Sequence, residues 1–187
     1  MAVGRDQRAL DHSIRIATLD YGPVLERLIA ESARGLAAGD YTRAQMDAAI
    51  GTAWAVDSAL IDDGTYFVVE ADDQIVACGG WSRRRTLFGG DRLAGRQSEL
   101  LDPSKDAARI RAFFVRPEWA RRGIGRSLLE RCEAEARRHG FSAAELMATL
   151  PGERLYRACG YLASGRVQHP LADGSTIEFV AMRKDLR

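Results

Sequence analysis

The chain has 187 residues, with 27 Lys and Arg against 26 Asp and Glu, so its formal net charge is +1. Its 46% hydrophobic content can fill one sizeable core, which predicts a single domain across residues 1–187. The near-zero charge argues against a nucleic acid or an acidic membrane as partner, so any basic site must be local.

The first part of the chain predicts a short strand followed by two helices. Residues 13–18 alternate polar and apolar side chains, as strands do. Asp20 is predicted to cap a helix that starts at Gly22, where apolar residues begin to recur at helical spacing. Thr42 is predicted to cap a second helix.

A β-hairpin is predicted for residues 66–78, because aromatic and β-branched residues flank an acidic turn at 71–73. Between Trp81 and Ala108 the chain is polar for longer than an ordinary connection, and part of it is expected to border a pocket. Trp81 and Phe88 either wall that pocket or anchor the loop. The arginine run at 83–85 indicates a solvated loop, with attraction of an acidic ligand as the alternative.

The segment Ala108–Val115 predicts a central strand, which Pro117 ends. Simple alternation divides its side chains between two faces. The expected faces are Ile110, Ala112 and Phe114 on one side, and Phe113 and Val115 on the other.

A helix is predicted after the Gly-Ile-Gly turn at 123–125. Glu133 and Arg137 are expected to pair on its solvent side. Gly140 ends the helix, and Ala143–Thr149 resumes as a strand, so the unit has the length of a parallel crossover. The expected apolar stripe of this helix is Ile124, Leu128, Cys132 and Ala136.

The remaining residues predict a short helix and two strands. The helix spans 153–158 and ends at Gly160. Strands at 161–167 and 176–182 follow, joined through the turn at Asp173-Gly174.

The most informative segment is the strand-to-helix turn RRGIGR at 121–126. A helix start has unpaired N–H groups and a partial positive charge, and glycines let a phosphate approach the backbone, so the turn predicts a pyrophosphate site. Its arginines add mobile positive charge. A P-loop string is absent, and a dinucleotide fingerprint would require Gly or Ala where Leu128 stands. A tight turn without a ligand is the remaining alternative.

Three segments together resemble the GNAT superfamily of acetyltransferases. FFVRPEW (113–119) is similar to the family's strand and Pro turn, RGIGRSLL (122–129) to its cofactor loop and helix, and ERLYRACGY (153–161) to its C-terminal signature. The resemblance extends over roughly residues 64–183 and more loosely over the first helices. One departure is Ala120, which stands where the family usually has Gln or Arg.

The resemblance implies an α/β fold of the α+β type. Its sheet is mixed and largely antiparallel, with flanking helices and a splayed parallel central pair. It also implies acetyl-coenzyme A as co-substrate and no metal, with the pantetheine arm pairing with the edge of the first central strand. Arg121 is expected to supply the charge that Ala120 lacks. The implied cofactor-binding residues are Phe114, Val115, Arg121, Arg122, Gly123, Ile124, Gly125, Arg126 and Ser127.

The activity that the resemblance implies is N-acetylation of a primary amine of a small molecule or peptide, by direct attack in a ternary complex. Tyr156 matches the family position for the general acid, and a core tyrosine is the alternative. The general base is not identified, because Asp106, Glu145, Glu70 and a water chain are all candidates. A non-catalytic acyl-coenzyme A-binding regulatory module is the alternative function.

Targeting and metal-binding signals are lacking in the sequence. The N-terminal segment has no apolar leader, and no stretch approaches the ~18 uncharged apolar residues of a membrane span, which predicts a cytoplasmic protein. Cys78, Cys132 and Cys159 form no C-x-x-C pair and are expected to be reduced and mostly buried; the three histidines lie far apart. The oligomeric state stays open, with a homodimer among the alternatives.

Overall fold

The computed structural model describes residues 12–187. The N-terminal segment, on which the predicted lack of a leader mainly rests, lies outside the described residues. The N-terminal end of the predicted domain lies outside them as well. The strands are β1 (Ser13–Ile16), β2 (Tyr66–Ala71), β3 (Gln74–Ser82), β4 (Ala108–Val115), β5 (Ala143–Thr149), β6 (Leu162–Pro170) and β7 (Thr176–Asp185). The α-helices are α1 (Gly22–Leu36), α2 (Arg43–Ala49), α3 (Ser58–Asp62), α4 (Ile124–Arg138) and α5 (Leu150–Ala158).

The seven strands form one sheet in the order β1-β2-β3-β4-β5-β7-β6. All neighbouring pairs are antiparallel except β4 and β5, which confirms the predicted mixed sheet and the predicted hairpin of β2 and β3. The parallel pair is joined only at its start, by Ala108 opposite Ala144 and Arg109 opposite Glu145. Beyond Arg109 no further pairs join β4 to β5, although β5 stays paired with β7 along its whole length, so a gap opens between β4 and β5.

A β-bulge changes the predicted faces of β4. The pairing jumps from Cys78 opposite Phe114 to Gly80 opposite Arg111, and Ala112 has a positive φ of 55°. The extra residue reverses the alternation, so the expectation that Ile110 shares a face with Ala112 and Phe114 is wrong. The side chains on the α4 face are Ile110, Phe113 and Val115, and those on the opposite face are Ala112 and Phe114.

Two apolar layers cover the sheet. One contains the predicted stripe of α4, whose four residues are all buried, which confirms that prediction. The other contains Leu25, Leu28 and Ile29 of α1, together with α2. Gly140 has a φ of 87° and follows the end of α4, as predicted for a helix-ending glycine.

Two expectations about side chains at helices are wrong. Asp20 lies in a 3₁₀ turn, Leu19–Tyr21, and α1 begins without a side-chain cap. Glu133 does not face solvent, because Lys184 Nζ lies 2.8 Å from both of its carboxylate oxygens and the residue is buried beneath β7. Its pairing with Arg137 is present, at 3.5 Å.

Thr42 caps α2 as predicted, in a reciprocal capping box with Gln45. The C-terminal elements are longer than the sequence indicates. Helix α5 starts at Leu150, because the Thr149 side chain accepts a hydrogen bond from the Gly152 N–H and caps it. Strand β7 continues through the charged residues at 183–185, which pair with β5. The short helix α3 was not predicted.

No helix between residues 12 and 187 combines the length and the apolar character that crossing a bilayer requires.

Candidate active site

A cavity of about 660 Å³ opens where β4 and β5 separate. Its walls come from β4, the start of α4, α5, α1 and the loop at 83–107. The loop contributes residues 87–89, so part of this polar stretch borders a pocket, as the sequence indicated. The predicted site residues in the lining are Phe114, Val115, Arg121, Gly123, Gly125, Arg126 and Tyr156.

The backbone at the start of α4 has the geometry of an anion site. Gly123 adopts a left-handed conformation with a φ of 87°, and its carbonyl accepts the N–H of Ser127. The N–H groups of Ile124, Gly125 and Arg126 precede that first helical hydrogen bond and therefore lack an acceptor within the helix. They also lie at the positive end of the helix dipole. These features fit a pyrophosphate.

Gly125 keeps the helix start close to α5. A Cβ atom at this position would lie 3.1 Å from Leu155 Cδ2, so any larger side chain would fill the space beside the loop. Arg126 reaches across the same space and donates to the carbonyl of Ala158 at 3.3 Å.

The other predicted cofactor residues are placed differently. Arg122 stacks over the Trp119 ring at 4.9 Å, whereas Arg121 is exposed and lines the cavity. The side chain of Ile124 is buried in the core, and Ser127 is half-buried outside the lining. A contact from these last two residues therefore has to come from their backbone.

The strand edge predicted to hold pantetheine is already in contact with α1. The N–H of Val115 donates to Ser32 Oγ at 3.2 Å, and Ser32 is buried and lines the cavity. Sequence reasoning missed this serine. The signal available in the sequence was that Ser32 is a polar residue at a position on the buried apolar stripe of α1, next to Leu28 and Ile29.

Tyr156 serves both the core and the cavity. Its ring packs edge-on against Phe113 at 6.2 Å and Tyr161 at 5.7 Å, yet it also lines the cavity. The hydroxyl has no hydrogen-bond partner within residues 12–187. Burial raises the pKa of Tyr156 well above its usual value of 10, with smaller contributions from Cys132 and Cys159. The phenol is therefore protonated at neutral pH.

A buried charge cluster lies beside the cavity. Arg111, which lines the cavity, has its Nη2 atom 2.6 Å from Asp57 Oδ2 and donates from it to the Gly89 carbonyl at 2.7 Å. Arg96, from the loop at 83–107, pairs with the other oxygen of Asp57. Burial lowers the pKa of Arg111 to about 10, which still leaves it charged at neutral pH. Sequence reasoning missed Arg111, although a charge in the middle of a predicted central strand was a usable signal.

The candidate general bases lie elsewhere. Glu145 pairs with Arg109 and Arg183. The carboxylates of the other two candidates, Glu70 and Asp106, also have partners. Among residues 12–187, no carboxylate or imidazole lines the cavity. The contacts of the remaining candidates are Glu70 with Arg15 at 2.8 Å, and Asp106 with the N–H of Asp102 at 2.9 Å.

Other side chains singled out in the sequence are structural. Trp81 is buried and packs on His139 and Phe141, so it anchors the fold, whereas Phe88 lines the cavity. Arg84 pairs with Asp63 at 2.7 Å.

The cysteines are all free, and two of them, Cys78 and Cys132, are fully buried. Burial raises the pKa of the Cys78 thiol to about 12, and burial also raises the pKa values of Cys132 and Cys159. Within the described part of the chain, His, Cys, Asp and Glu form no cluster of three or more suited to a metal ion.

Solved structures with a similar fold include three acetyltransferase-related proteins. A GCN5-related N-acetyltransferase from Rhodopseudomonas palustris matches with a TM-score of 0.71 at 18% identity, over 97% of this chain and 99% of its own. The paiA N-acetyltransferase of Thermoplasma acidophilum, in complex with coenzyme A, matches with a TM-score of 0.65 at 15% identity, over 94% and 99%. The yncA protein of Salmonella typhimurium, with its cofactor acetyl-CoA, matches with a TM-score of 0.62 at 16% identity, over 95% of each chain.

At these identities the likeness concerns the fold. No curated protein sequence gives a significant match. The sequence does match the family model described as Acetyltransferase (GNAT) family across residues 28–161, which is most of the chain. The chain therefore belongs to the GNAT acetyltransferase family.

Proposed function

We propose that the protein transfers the acetyl group of acetyl-coenzyme A to a primary amine of a small molecule or peptide, by direct attack in a ternary complex. One observation carries this proposal: the Tyr156 phenol, the anion-binding start of α4 and the separated edge of β4 line a single cavity. Family membership and the coenzyme A-containing neighbours support the choice of donor.

The residues present fit the donor from end to end. The N–H groups at 124–126 suit its pyrophosphate, with Arg121 and Arg126 as counter-charges. The edge of β4 at Phe114 and Val115, which lines the cavity, suits the amide groups of pantetheine once Ser32 releases the Val115 N–H. The thioester then lies between β4 and α5, within reach of Tyr156.

The chemistry requires little of the protein. The neutral amine attacks the thioester carbonyl carbon, a C–N bond forms, and the C–S bond breaks. A backbone N–H of β4 stabilises the developing oxyanion. Tyr156 donates its proton to the departing thiolate, whose conjugate thiol has a pKa near 8.5, and this step is worth roughly 10²–10⁴ in rate. The amine loses its own proton to solvent, and the Tyr156 phenolate takes up a proton from solvent.

The lining offers no obvious general base, because its ionisable side chains between residues 12 and 187 are arginines and a tyrosine. The amine must therefore arrive neutral or lose its proton through water. Turnover by this route rises with pH until the acceptor amine is deprotonated. We place the reaction in the cytoplasm, a reducing compartment that suits three free cysteines.

A panel of primary amines with acetyl-coenzyme A tests the proposal. Release of the thiol, together with a product heavier by one acetyl group, is expected for at least one amine. Tight coenzyme A binding without thiol release across the panel would instead indicate the regulatory module. A control without amine measures simple hydrolysis of the thioester.

A further inference from the structure

The ionisable side chains in the cavity lining share one sign of charge. Apart from Tyr156 they are all arginines, and the part of the lining that belongs to residues 12–187 contains no Asp, Glu, Lys or His. Arg121 and Arg126 lie at the start of α4 and are accounted for by the phosphates of the donor, and Arg154 is an exposed residue of α5. Arg111 lies apart from them, against Asp57 and Gly89.

Arg111 belongs to a network of two guanidinium groups and two carboxylates, in which Arg111 and Asp57 are the most buried members. Asp57 is fully buried and is shared by Arg111 and Arg96, so one buried carboxylate faces two guanidinium groups. The second carboxylate on Arg96 is that of Asp91, whose side chain is 46% exposed and therefore screened by water. Arg111 is the member of this network that lines the cavity.

Two buried donors at the cavity lack an acceptor. Arg111 Nε and Trp54 Nε1 are both buried without a hydrogen-bond partner, and both residues line the cavity. Both residues are only 4% exposed. Buried donors are almost always satisfied in proteins, so two of them in one cavity point to a bound group that accepts hydrogen bonds.

The surrounding wall is apolar and aromatic. Phe88 and Phe179 face each other with ring centroids 5.1 Å apart, and Met147 lines the same cavity. Aromatic and thioether groups enclose a large apolar side chain well. A polyamine would bring positive charge toward Arg111, and the described part of the lining has no carboxylate to pair with it, so this lining rejects it.

We propose that the acceptor is a free α-amino acid with a large apolar or aromatic side chain, whose carboxylate is bound by Arg111 and Trp54. This inference rests on the proposed function and names its substrate class. The carboxylate accepts hydrogen bonds from both orphan donors, while the apolar side chain packs against Phe88 and Phe179. The α-amine is then the nucleophile.

Matched acceptors test the inference on the wild-type protein. L-phenylalanine, phenylalaninamide and phenethylamine share one aromatic body and differ in the carboxylate, and spermidine serves as the polyamine. Compared per neutral amine, kcat/KM is expected to be at least about tenfold higher for L-phenylalanine than for the other three, since a charged hydrogen bond is worth more than a neutral one. Equal values for L-phenylalanine and phenylalaninamide would overturn this inference alone. Thiol release with none of the amines would overturn the proposed function.

Variants assign the preference to its residues. Arg111→Lys and Trp54→Phe remove the orphan donors and should each reduce the preference for L-phenylalanine over phenylalaninamide by about tenfold. Arg109→Lys is the matched control, because Arg109 is on the same strand, also has a buried Nε without a partner, and does not line the cavity. An unchanged preference in both cavity variants would refute the assignment.

A binding measurement completes the test without turnover. N-acetyl-L-phenylalanine, titrated into the protein with coenzyme A present, should bind at least about tenfold more tightly than N-acetylphenethylamine, because only the former offers a carboxylate. Trp54→Phe should abolish most of that difference even where Arg111→Lys fails to fold. Equal affinities would count against the carboxylate site.

Discussion

Ser32 Oγ accepts the backbone N–H of Val115 at 3.2 Å, so a side chain of α1 occupies the strand edge that pantetheine is predicted to use. A ligand carbonyl that pairs with this N–H has to displace the serine. The hydroxyl therefore satisfies a buried donor in the free protein and competes with the ligand for it. Both effects can be measured.

Ser32→Ala is expected to tighten coenzyme A binding by about two- to tenfold, because one hydrogen bond no longer has to be exchanged. The same change should lower the melting temperature of the free protein, since the Val115 N–H loses its partner. Calorimetry and thermal unfolding check the two effects. Ser164→Ala, on exposed β6, is the control expected to change neither by much. An unchanged affinity in Ser32→Ala would show that the ligand does not use this N–H.

Gly125→Glu should weaken coenzyme A binding by more than tenfold. The new side chain begins 3.1 Å from Leu155 and brings a negative charge to the start of α4, where the pyrophosphate is proposed to bind. Gly22→Glu is a matched control, because it adds the same residue at the first position of α1, where a Cβ meets nothing within 4 Å. Equal affinities of the two variants would refute the pyrophosphate placement.

The sequence was sufficient for features that depend on local chemistry. Strand β4, the start of α4 and the crossover to β5 coincide with their predictions, because Pro117, the glycine turn and the apolar periodicity each act within a few residues. The turn at 121–126 was located for the same reason. Its backbone geometry follows from glycines that are neighbours in sequence.

Features that depend on distant partners were missed or misplaced. The bulge at Ala112 requires the close packing of Phe113 on Gly79, where a Cβ would lie 2.6 Å from the ring, and no pattern within β4 shows that partner. Asp57 and Arg111 are 54 positions apart in the sequence, and their direct ion pair depends on how these distant segments pack together. The part of the cavity near Arg111 was therefore beyond sequence reasoning, whereas the part at the glycine turn was not.

Glu133 provides a test of the corrected environment of α4. Glu133→Gln should cost about 1–3 kcal/mol of unfolding free energy, because the half-buried Lys184 would lose the charged hydrogen bonds that it makes to the buried carboxylate. Glu135→Gln, two residues further along α4, is the control and should cost about 0–1 kcal/mol, since its arginine partners are exposed. Denaturant unfolding of both variants checks this. If the two variants lost similar amounts of unfolding free energy, Glu133 would lie on the solvent side of α4.

The cysteines are expected to be dispensable for the chemistry. Burial raises the pKa of the Cys78 thiol to about 12, and it also raises the pKa values of Cys132 and Cys159, so little nucleophilic thiolate exists at neutral pH. Cys159→Ser, at the half-buried site, should retain kcat within about twofold of the wild type. Intact-mass measurement after incubation with acetyl-coenzyme A should show no acetylated protein. An acetyl adduct lost in Cys159→Ser would favour a covalent acyl-enzyme.

The pH dependence of kcat separates Tyr156 from a general acid of ordinary acidity. Because burial disfavours the phenolate, the pKa of Tyr156 is raised above 10 and the proton needed for the thiolate is retained as the pH increases. The alkaline limb of the profile should therefore show no loss of kcat between about pH 8 and 10. A fall in kcat centred within that range would assign the acid to another group.

Tyr156→Phe removes the proposed proton donor and retains the ring that packs on Phe113 and Tyr161. The tyrosine hydroxyl has no hydrogen-bond partner in the described chain, so its loss should leave the melting temperature and the coenzyme A affinity nearly unchanged. If the phenol protonates the thiolate, kcat should fall by roughly 10²–10⁴. Tyr161→Phe is the matched control, because Tyr161 also has a buried hydroxyl without a partner but does not line the cavity, and it should keep its kcat. Wild-type turnover in Tyr156→Phe would restrict this residue to packing and leave the thiolate to be protonated by water.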